Sequence, residues 1–234
     1  MHCQKDIAEQ IKVLVGCEYS GTVRDAFLRR GFDAWSCDLL PTETNHNRHI
    51  RGDVRDVMND GWDLMVVAHP PCTRLCNSGV CWLTRPPKGK TKEQIWAELD
   101  EAAALFSDLW NSNAKHVALE NPVMHGYARE RIRGYVPPAQ TVQPWWFGEP
   151  LQKKVCLWLR NLPELVPTDV VELPAPKYCI RKTGPRAGRR YNYYFHQGKN
   201  GHERSRFFPG IADAMAQQWG DILIKEKIEM MKAA

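Results

Sequence analysis

Residues 64 to 72 read LMVVAHPPC, an apolar run that ends in His69, Pro70, Pro71 and Cys72. Two prolines fix their φ angles and cannot donate to a β-ladder, so the strand must stop there and the following thiol sits in a stiff turn. A thiol so placed is a candidate nucleophile. Taken alone, a cysteine is equally a small buried hydrophobe. A second apolar run, His116 to Leu119, ends directly in Glu120, Asn121 and Pro122. One strand tip then carries a thiol and another an acid, and ligands in open α/β sheets bind outside the carboxyl ends of the strands. If the two strands are neighbours, Cys72 and Glu120 face one crevice, as covalent catalysis with an acid–base partner requires. A lone Glu-Asn-Pro is an ordinary capped turn, so the inference rests on the pair.

These tips need a sheet to hold them, and the chain alternates strand and helix in the way that builds one. Ile11 to Val15 reads as a strand, about Thr22 to Arg30 as a helix closed by Gly31, and Asp33 to Cys37 as a second strand. Further strands are expected near Ile50, at Leu64 to Ala68, at Lys115 to Leu119 and at Val155 to Leu159. Between the fourth and fifth, Lys92 to Asn111 is an amphipathic helix with Ile95, Leu99, Ala102, Ala103, Phe106 and Trp110 on one side. The pattern predicts an α/β domain with a mostly parallel sheet and helices on both faces. Its core extends to about Arg160. A Pro-rich stretch (Pro163, Pro167, Pro174, Pro176) then leads into an irregular basic segment, and a final helix runs from about Ile211 to Met230.

The first strand opens into Gly16, Cys17, Glu18, Tyr19, Ser20 and Gly21, a turn that could set a ligand against the N–H groups of a helix N-terminus. It is not GxGxxG, and a tight β-to-α turn accounts equally for its glycines. Asp38, with Leu39 after it, closes the second strand where such folds place an acid on a ribose, and Gly52, Asp53 and Val54 follow the third. Together they suggest an adenosine-containing cofactor. Solvated strand-end carboxylates are the bland alternative.

The composition suits such a domain: 234 residues, 43% apolar, with no long apolar span. No signal peptide or membrane segment is apparent, so a cytoplasmic location is expected. The eight cysteines lie in strand-like or mixed contexts of a mid-sized chain, which favours reduced thiols over a disulfide framework. Cys72, Cys76 and Cys81 lack a second Cys/His pair at zinc-finger spacing, and no metal is expected.

Charge is distributed unevenly. From Lys177 to Arg206 there are nine Lys or Arg, among them Arg181, Lys182, Arg186, Arg189, Arg190 and Lys199, opposed by Glu203 alone. The whole chain carries only +5, so the basicity is local. Tyr178, Tyr191, Tyr193, Tyr194 and Phe195 interleave with it. Cations supply phosphate contacts and aromatics supply stacking platforms, as nucleic acid binding needs. A solvated basic loop is the plain alternative.

The order of these motifs resembles the catalytic core of the S-adenosylmethionine-dependent DNA cytosine C5 methyltransferases over roughly residues 11 to 160 and 205 to 220. Pro71 and Cys72 match that family's Pro-Cys nucleophile motif, and Glu120 and Asn121 its Glu-Asn-Val motif, with Pro122 for the valine. Phe147, Gly148, Glu149 and Pro150, followed by Lys153 and Lys154, resemble its Phe-Gly-x-Pro-Gln-x-Arg-x-Arg segment, and Pro209 to Trp219 stands where its closing helix begins. More closely, the chain is similar to compact phage and prophage members of restriction–modification type.

The resemblance implies a Rossmann-like methyltransferase fold spanning 1–234, with 161–206 a reduced basic target-recognition segment and 207–230 a closing helix. It implies Cys72, Glu120, Asn121 and Lys154 as catalytic residues. Residues 16–21, Asp38, Leu39, Asp53, Val54, Pro70 and Ala212 would form the S-adenosylmethionine site. Arg74, Asn77, Lys153 and the basic segment would bind DNA, double-stranded by expectation, and a monomer is expected. The chain departs from the pattern in having no stacking Phe in the first loop and Thr73-Arg74-Leu75-Cys76 after the nucleophile. It also has lysines where the family has arginines, and lysine loses the bidentate geometry. Two other classes fit parts of the sequence. One is an amino methyltransferase built on His69-Pro70-Pro71, in which Cys72 replaces an aromatic. The other is a nucleic-acid-binding protein without turnover. A free-nucleotide substrate is disfavoured by the number of cations.

Overall fold

The computed structural model describes residues 2–45, 47–68, 70–175, 177–184, 187–193 and 206–233. Seven strands form one sheet: β1 (Lys12–Gly16), β2 (Asp33–Asp38), β3 (His49–Arg51), β4 (Leu64–Val67), β5 (His116–Asn121), β6 (Gln140–Val142) and β7 (Val155–Arg160). Their order is β3-β2-β1-β4-β5-β7-β6. The first five are parallel to their neighbours, and β7 runs antiparallel to both β5 and β6. This is a Rossmann-like α/β sheet in which one antiparallel strand is inserted beyond β5, and the strand order reverses between β1 and β4. Val13 to Gly16, all of β4 and all of β5 are buried. They are covered on both faces, which is why they read as unbroken apolar runs rather than alternating ones.

The helices divide between the two faces. On one side α1 (His2–Ala8), α2 (Thr22–Arg29) and α5 (Pro209–Ala233) pack together over Val13, Val15, Ala34 and Val66. On the other, α3 (Lys92–Trp110) and α4 (Gly126–Arg131) cover Leu14, Met65, Val67, Val117 and Leu119. Thr91 starts α3 with a reciprocal capping box to Gln94. Its Ile95, Leu99, Ala102, Ala103 and Phe106 are buried, as the periodicity predicts. At the amino end of β5, His116 Nε2 and Lys115 Nζ both meet Glu226 Oε2, at 3.0 and 2.6 Å, which fastens α5 to the sheet.

Three expectations need correction. The last helix begins at Pro209 and runs to Ala233, longer at both ends than Ile211 to Met230. The basic segment is not wholly irregular: β8 (Lys177–Ile180) and β9 (Arg190–Tyr193) pair antiparallel as a separate two-stranded sheet. Tyr and Ile give these strands their β preference, while the density of charge hid any alternating pattern. The short strand β6 and the helices α1 and α4 were also not anticipated, being too brief to show a period.

The carboxyl edge of the sheet also holds the roots of the basic segment. β6 ends at Val142 and β7 starts at Val155, so residues 143–154 lie at the same edge as the tip of β5. Gly148 N–H donates to Asp169 O (2.7 Å) and Val171 N–H to Trp145 O (2.9 Å). The returning chain docks on the same strip, with Gly210 N–H donating to Glu149 Oε1 at 2.8 Å. A Cβ on Gly210 would lie 1.7 Å from Phe147 O, so only glycine permits this approach.

Candidate active site

A cleft of about 580 Å³ opens at the carboxyl edge, on the α3 side. That is within the usual range for a small-molecule site. Cys17 follows β1, Cys37 and Asp38 come from the end of β2 with Leu39 just after it, and Gly52, Asp53, Val54 and Arg55 follow β3. Pro71, Thr73 and Arg74 follow β4, and Glu98, Glu101, Ala102 and Leu105 come from α3. The location follows from topology: strands on either side of the β1/β4 reversal send their loops apart and leave a crevice. Four carboxylates face two guanidinium groups in the lining, so the cleft favours a ligand with positive charge. Its apolar walls are Leu39, Val54, Ala102 and Leu105.

The loop after β1 is tight. Gly16 has no room for a side chain, since a Cβ would meet Val54 Cγ2 at 2.8 Å. Cys17 holds φ 54°, a left-handed conformation uncommon outside glycine. Burial and the nearby Asp38 raise its thiol far above the ordinary range. Glu18 points elsewhere. It is fully buried, and its carboxylate accepts the N–H groups of Val23 (2.7 Å) and Arg24 (3.1 Å), capping α2 in place of the N-cap Gly21. Those two amides, expected to face a ligand, are therefore occupied from within. Tyr19 and Ser20 are buried beside Glu18 rather than in the cleft lining. Arg24, also fully buried, donates to Ser36 and Thr42 and reaches Thr44, which fixes the chain beyond Leu39.

Cys72 lies at the rim of the cleft, one residue beyond Pro71. Its carbonyl accepts Leu75 N–H and Cys76 N–H, so the thiol starts a single helical turn. That turn is stitched to the tip of β5. Asn77 N–H donates to Val123 O, His125 N–H to Leu75 O, and the His125 ring bonds Arg74 O. With β4 and β5 paired in parallel, these bonds bring thiol and carboxylate into one electrostatic neighbourhood. Burial pushes the Cys72 thiol up to about 11, with the Glu120 charge adding to it and Lys153 opposing. Burial raises the Glu120 carboxyl to about 7, again against Lys153. At neutral pH the resting thiol is protonated, and Glu120 is divided between its two forms.

Other expected residues are spread more widely. Lys153, expected at the nucleic acid, is the cation felt by both Cys72 and Glu120, whereas Lys154 is exposed and acts on Cys156. Asn121 is buried, with Nδ2 on Pro122 O and Oδ1 unpartnered. Arg74 lines the cleft, donates to Glu98 at 2.6 Å and lies 4.9 Å from the Trp82 ring centroid. Asn77 is exposed on the stitched turn, and Pro70 is buried behind it. Ala212 belongs to the core on the opposite face of the sheet, away from the cleft. Arg181, Lys182, Arg189 and Arg190 are exposed, while His69, Arg186 and Lys199 lie outside the described residues. The contributions of Arg55, Glu98 and Glu101 were not foreseen. The acids of α3 sit on the polar face of an amphipathic helix, where no spacing separates a lining residue from a solvated one.

No family model matches this chain, and no curated protein matches it. Among solved structures, an E. coli chain described as a candidate DNA modification methyltransferase encoded within a prophage is similar at 14% identity with a TM-score of 0.41. The match covers 76% of this chain and 62% of that one.

Proposed function

We propose that the protein is an S-adenosylmethionine-dependent DNA cytosine C5 methyltransferase. One observation carries this reading: the half-buried thiol of Cys72 shares its surroundings with the buried acid Glu120, and the residue before it, Pro71, already lines the cleft. A candidate nucleophile and a proton-holding carboxyl thus come from the neighbouring tips of β4 and β5, beside a cleft that would take the cosubstrate. The seven-stranded order with an antiparallel β7 between β5 and β6 is the sheet expected of that fold.

The cleft fits the cosubstrate. Its excess of carboxylates suits a sulfonium and an ammonium, Asp38 would take the ribose hydroxyls, and Leu39 and Val54 would offer apolar surface to an adenine. Arg55 and Arg74 also line the cleft but are already paired, Arg74 with Glu98 at 2.6 Å and Arg55 with Asp108 at 3.2 Å. When bound, S-adenosylmethionine supplies the electrophilic methyl that an electron-rich C5 accepts.

The protein's own residues make C5 electron-rich. Cys72 sulfur adds to C6, the C5–C6 π pair moves toward C5, and Glu120 holds a proton at N3 so that the ring carries less negative charge. Loss of the C5 proton then re-forms the double bond as the C6–S bond breaks, which frees Cys72. A carboxyl raised to about 7 is matched to this task, because it both gives and takes a proton near neutrality. Cys72 adds as the thiolate, a minor form near neutrality because burial raises the thiol, and its proton passes to solvent before the cytosine closes over the sulfur. In a duplex the base must first leave the stack, at a cost of a few kcal/mol.

Expression in a host lacking cytosine methylation, followed by nucleoside mass spectrometry of its DNA, tests the reading. 5-Methylcytosine is the expected product. N4-methylcytosine would favour the amino methyltransferase class, and unmodified DNA from a host containing folded protein would remove both.

A further inference from the structure

The hairpin β8–β9 has features that go beyond a general basic patch. It forms a sheet of its own, and an isolated two-stranded hairpin is marginal in water. Tyr178 and Ile180 are 51% and 66% exposed. Arg190 pairs with Ile180 across the ladder, and its guanidinium lies 3.5 Å from the centroid of the Tyr178 ring. That stack holds an exposed guanidinium against the ring, and among the described residues no carboxylate pairs with it. Arg181, Lys182 and Arg189 are exposed at the connecting turn, and the sequence from 177 to 202 contains no acid. Both roots of the segment dock on residues 145–149, at the edge where Cys72 and Glu120 lie.

We propose that β8–β9 is a β-ribbon that enters the major groove of duplex DNA beside the reacting cytosine, with Arg190 reading one guanine. This rests on the methyltransferase reading for the identity of the neighbouring base, but not for the groove contact itself. The major groove, about 12 Å wide, admits a two-stranded ribbon, and an arginine fork bonds guanine O6 and N7 bidentately. Holding the fork on Tyr178 in advance spares the entropy of ordering it at binding. The other cations lie where phosphates flank the groove, and they fix position without reading sequence.

The test uses the full chain and duplexes recovered by the wild type from a random-sequence pool, then treated with dimethyl sulfate. This reagent methylates guanine N7 in the major groove and adenine N3 in the minor groove. Wild-type binding should be blocked by N7 methylation at one or two guanines next to a cytosine. Arg190→Lys keeps the charge and loses the fork, so it should hold overall affinity within about threefold while losing about tenfold of its discrimination at one guanine. Tyr178→Ala should weaken the same discrimination. Interference confined to adenine N3, or a wild-type pattern in Arg190→Lys, would overturn the ribbon. The readout is binding, so a protein that shows the expected pattern yet methylates nothing loses only the enzymatic reading. One that methylates but gives the contrary pattern loses only the ribbon.

Discussion

Glu18 turns its carboxylate onto the helix that follows it, accepting Val23 N–H at 2.7 Å. The β1–α2 loop is thereby closed on itself by its own side chain. Glu18→Ala leaves two buried N–H groups without acceptors, an expected loss of about 1–3 kcal/mol. Chemical denaturation measures this. Alkylation of Cys72 should be unaffected in the folded variant, because Glu18 does not act on it.

Burial raises both Glu18 and Glu120 to about 7 from 4.5. Between those values the folded state binds more protons than the unfolded chain, so each group makes stability fall as pH rises through that window, by on the order of 3 kcal/mol. Their favourable contribution is complete below about pH 4.5 and gone above about pH 7. Glu120→Gln removes one of the two. Melting followed from pH 5 to pH 8 should show a smaller decline in the variant than in the wild type, and an equal decline would place Glu120 in a more solvated setting.

Glu120 acts on Cys72 in two opposing ways that experiment can separate. Its charge raises the thiol, so Glu120→Gln should speed alkylation of free enzyme by iodoacetamide at pH 8. The same change should slow methyl transfer by about a hundredfold, since an amide cannot hold and release the proton at N3. In the wild type, alkylation should rise about tenfold per pH unit from 7 to 10 as the thiolate fraction grows toward a value near 11. Cys72→Ala should lose methyl transfer and the covalent adduct with 5-fluorocytosine DNA. Cys76 is buried with Sγ on Ser78 Oγ at 3.0 Å, and an adduct mapped there would sink the assignment.

Asp38 lines the cleft and accepts Leu40 N–H through Oδ1. Asp38→Ala should weaken S-adenosylmethionine by about tenfold or more in calorimetry, through loss of a charge-assisted bond to the ribose. Asp38→Asn, which keeps the turn, should fall between. Identical affinity in all three would show that the cosubstrate lies elsewhere in the cleft.

The legible parts of this molecule are those where one physical requirement acts on many residues. Buried parallel strands must be apolar throughout, so β1, β4 and β5 stood out, and the residues at their tips followed. The helix Lys92–Trp110 showed its period for the same reason. What escaped depends on single side chains choosing among partners: Glu18 between a ligand and a helix end, Lys153 against Lys154 as the cation near the thiol, Ala212 on one face or the other. A spacing does not encode these choices, because each is settled by which neighbours the fold brings to that side chain. The hairpin β8–β9 escaped because its many charges mask the alternation that would mark a strand.

Both roots of the basic segment are fastened to one strip of five residues, 145–149, by backbone bonds and a capped helix start. The chain therefore departs toward β8 and returns into α5 over the same strip, with a further bond from Arg206 to Glu43, while Cys72, Glu120 and the cleft lie at the carboxyl edge of the seven-stranded sheet. Such a layout is modular. Under the proposed function, a chimera carrying a different stretch on the same strip should change the DNA bound while leaving the alkylation of Cys72 as it is.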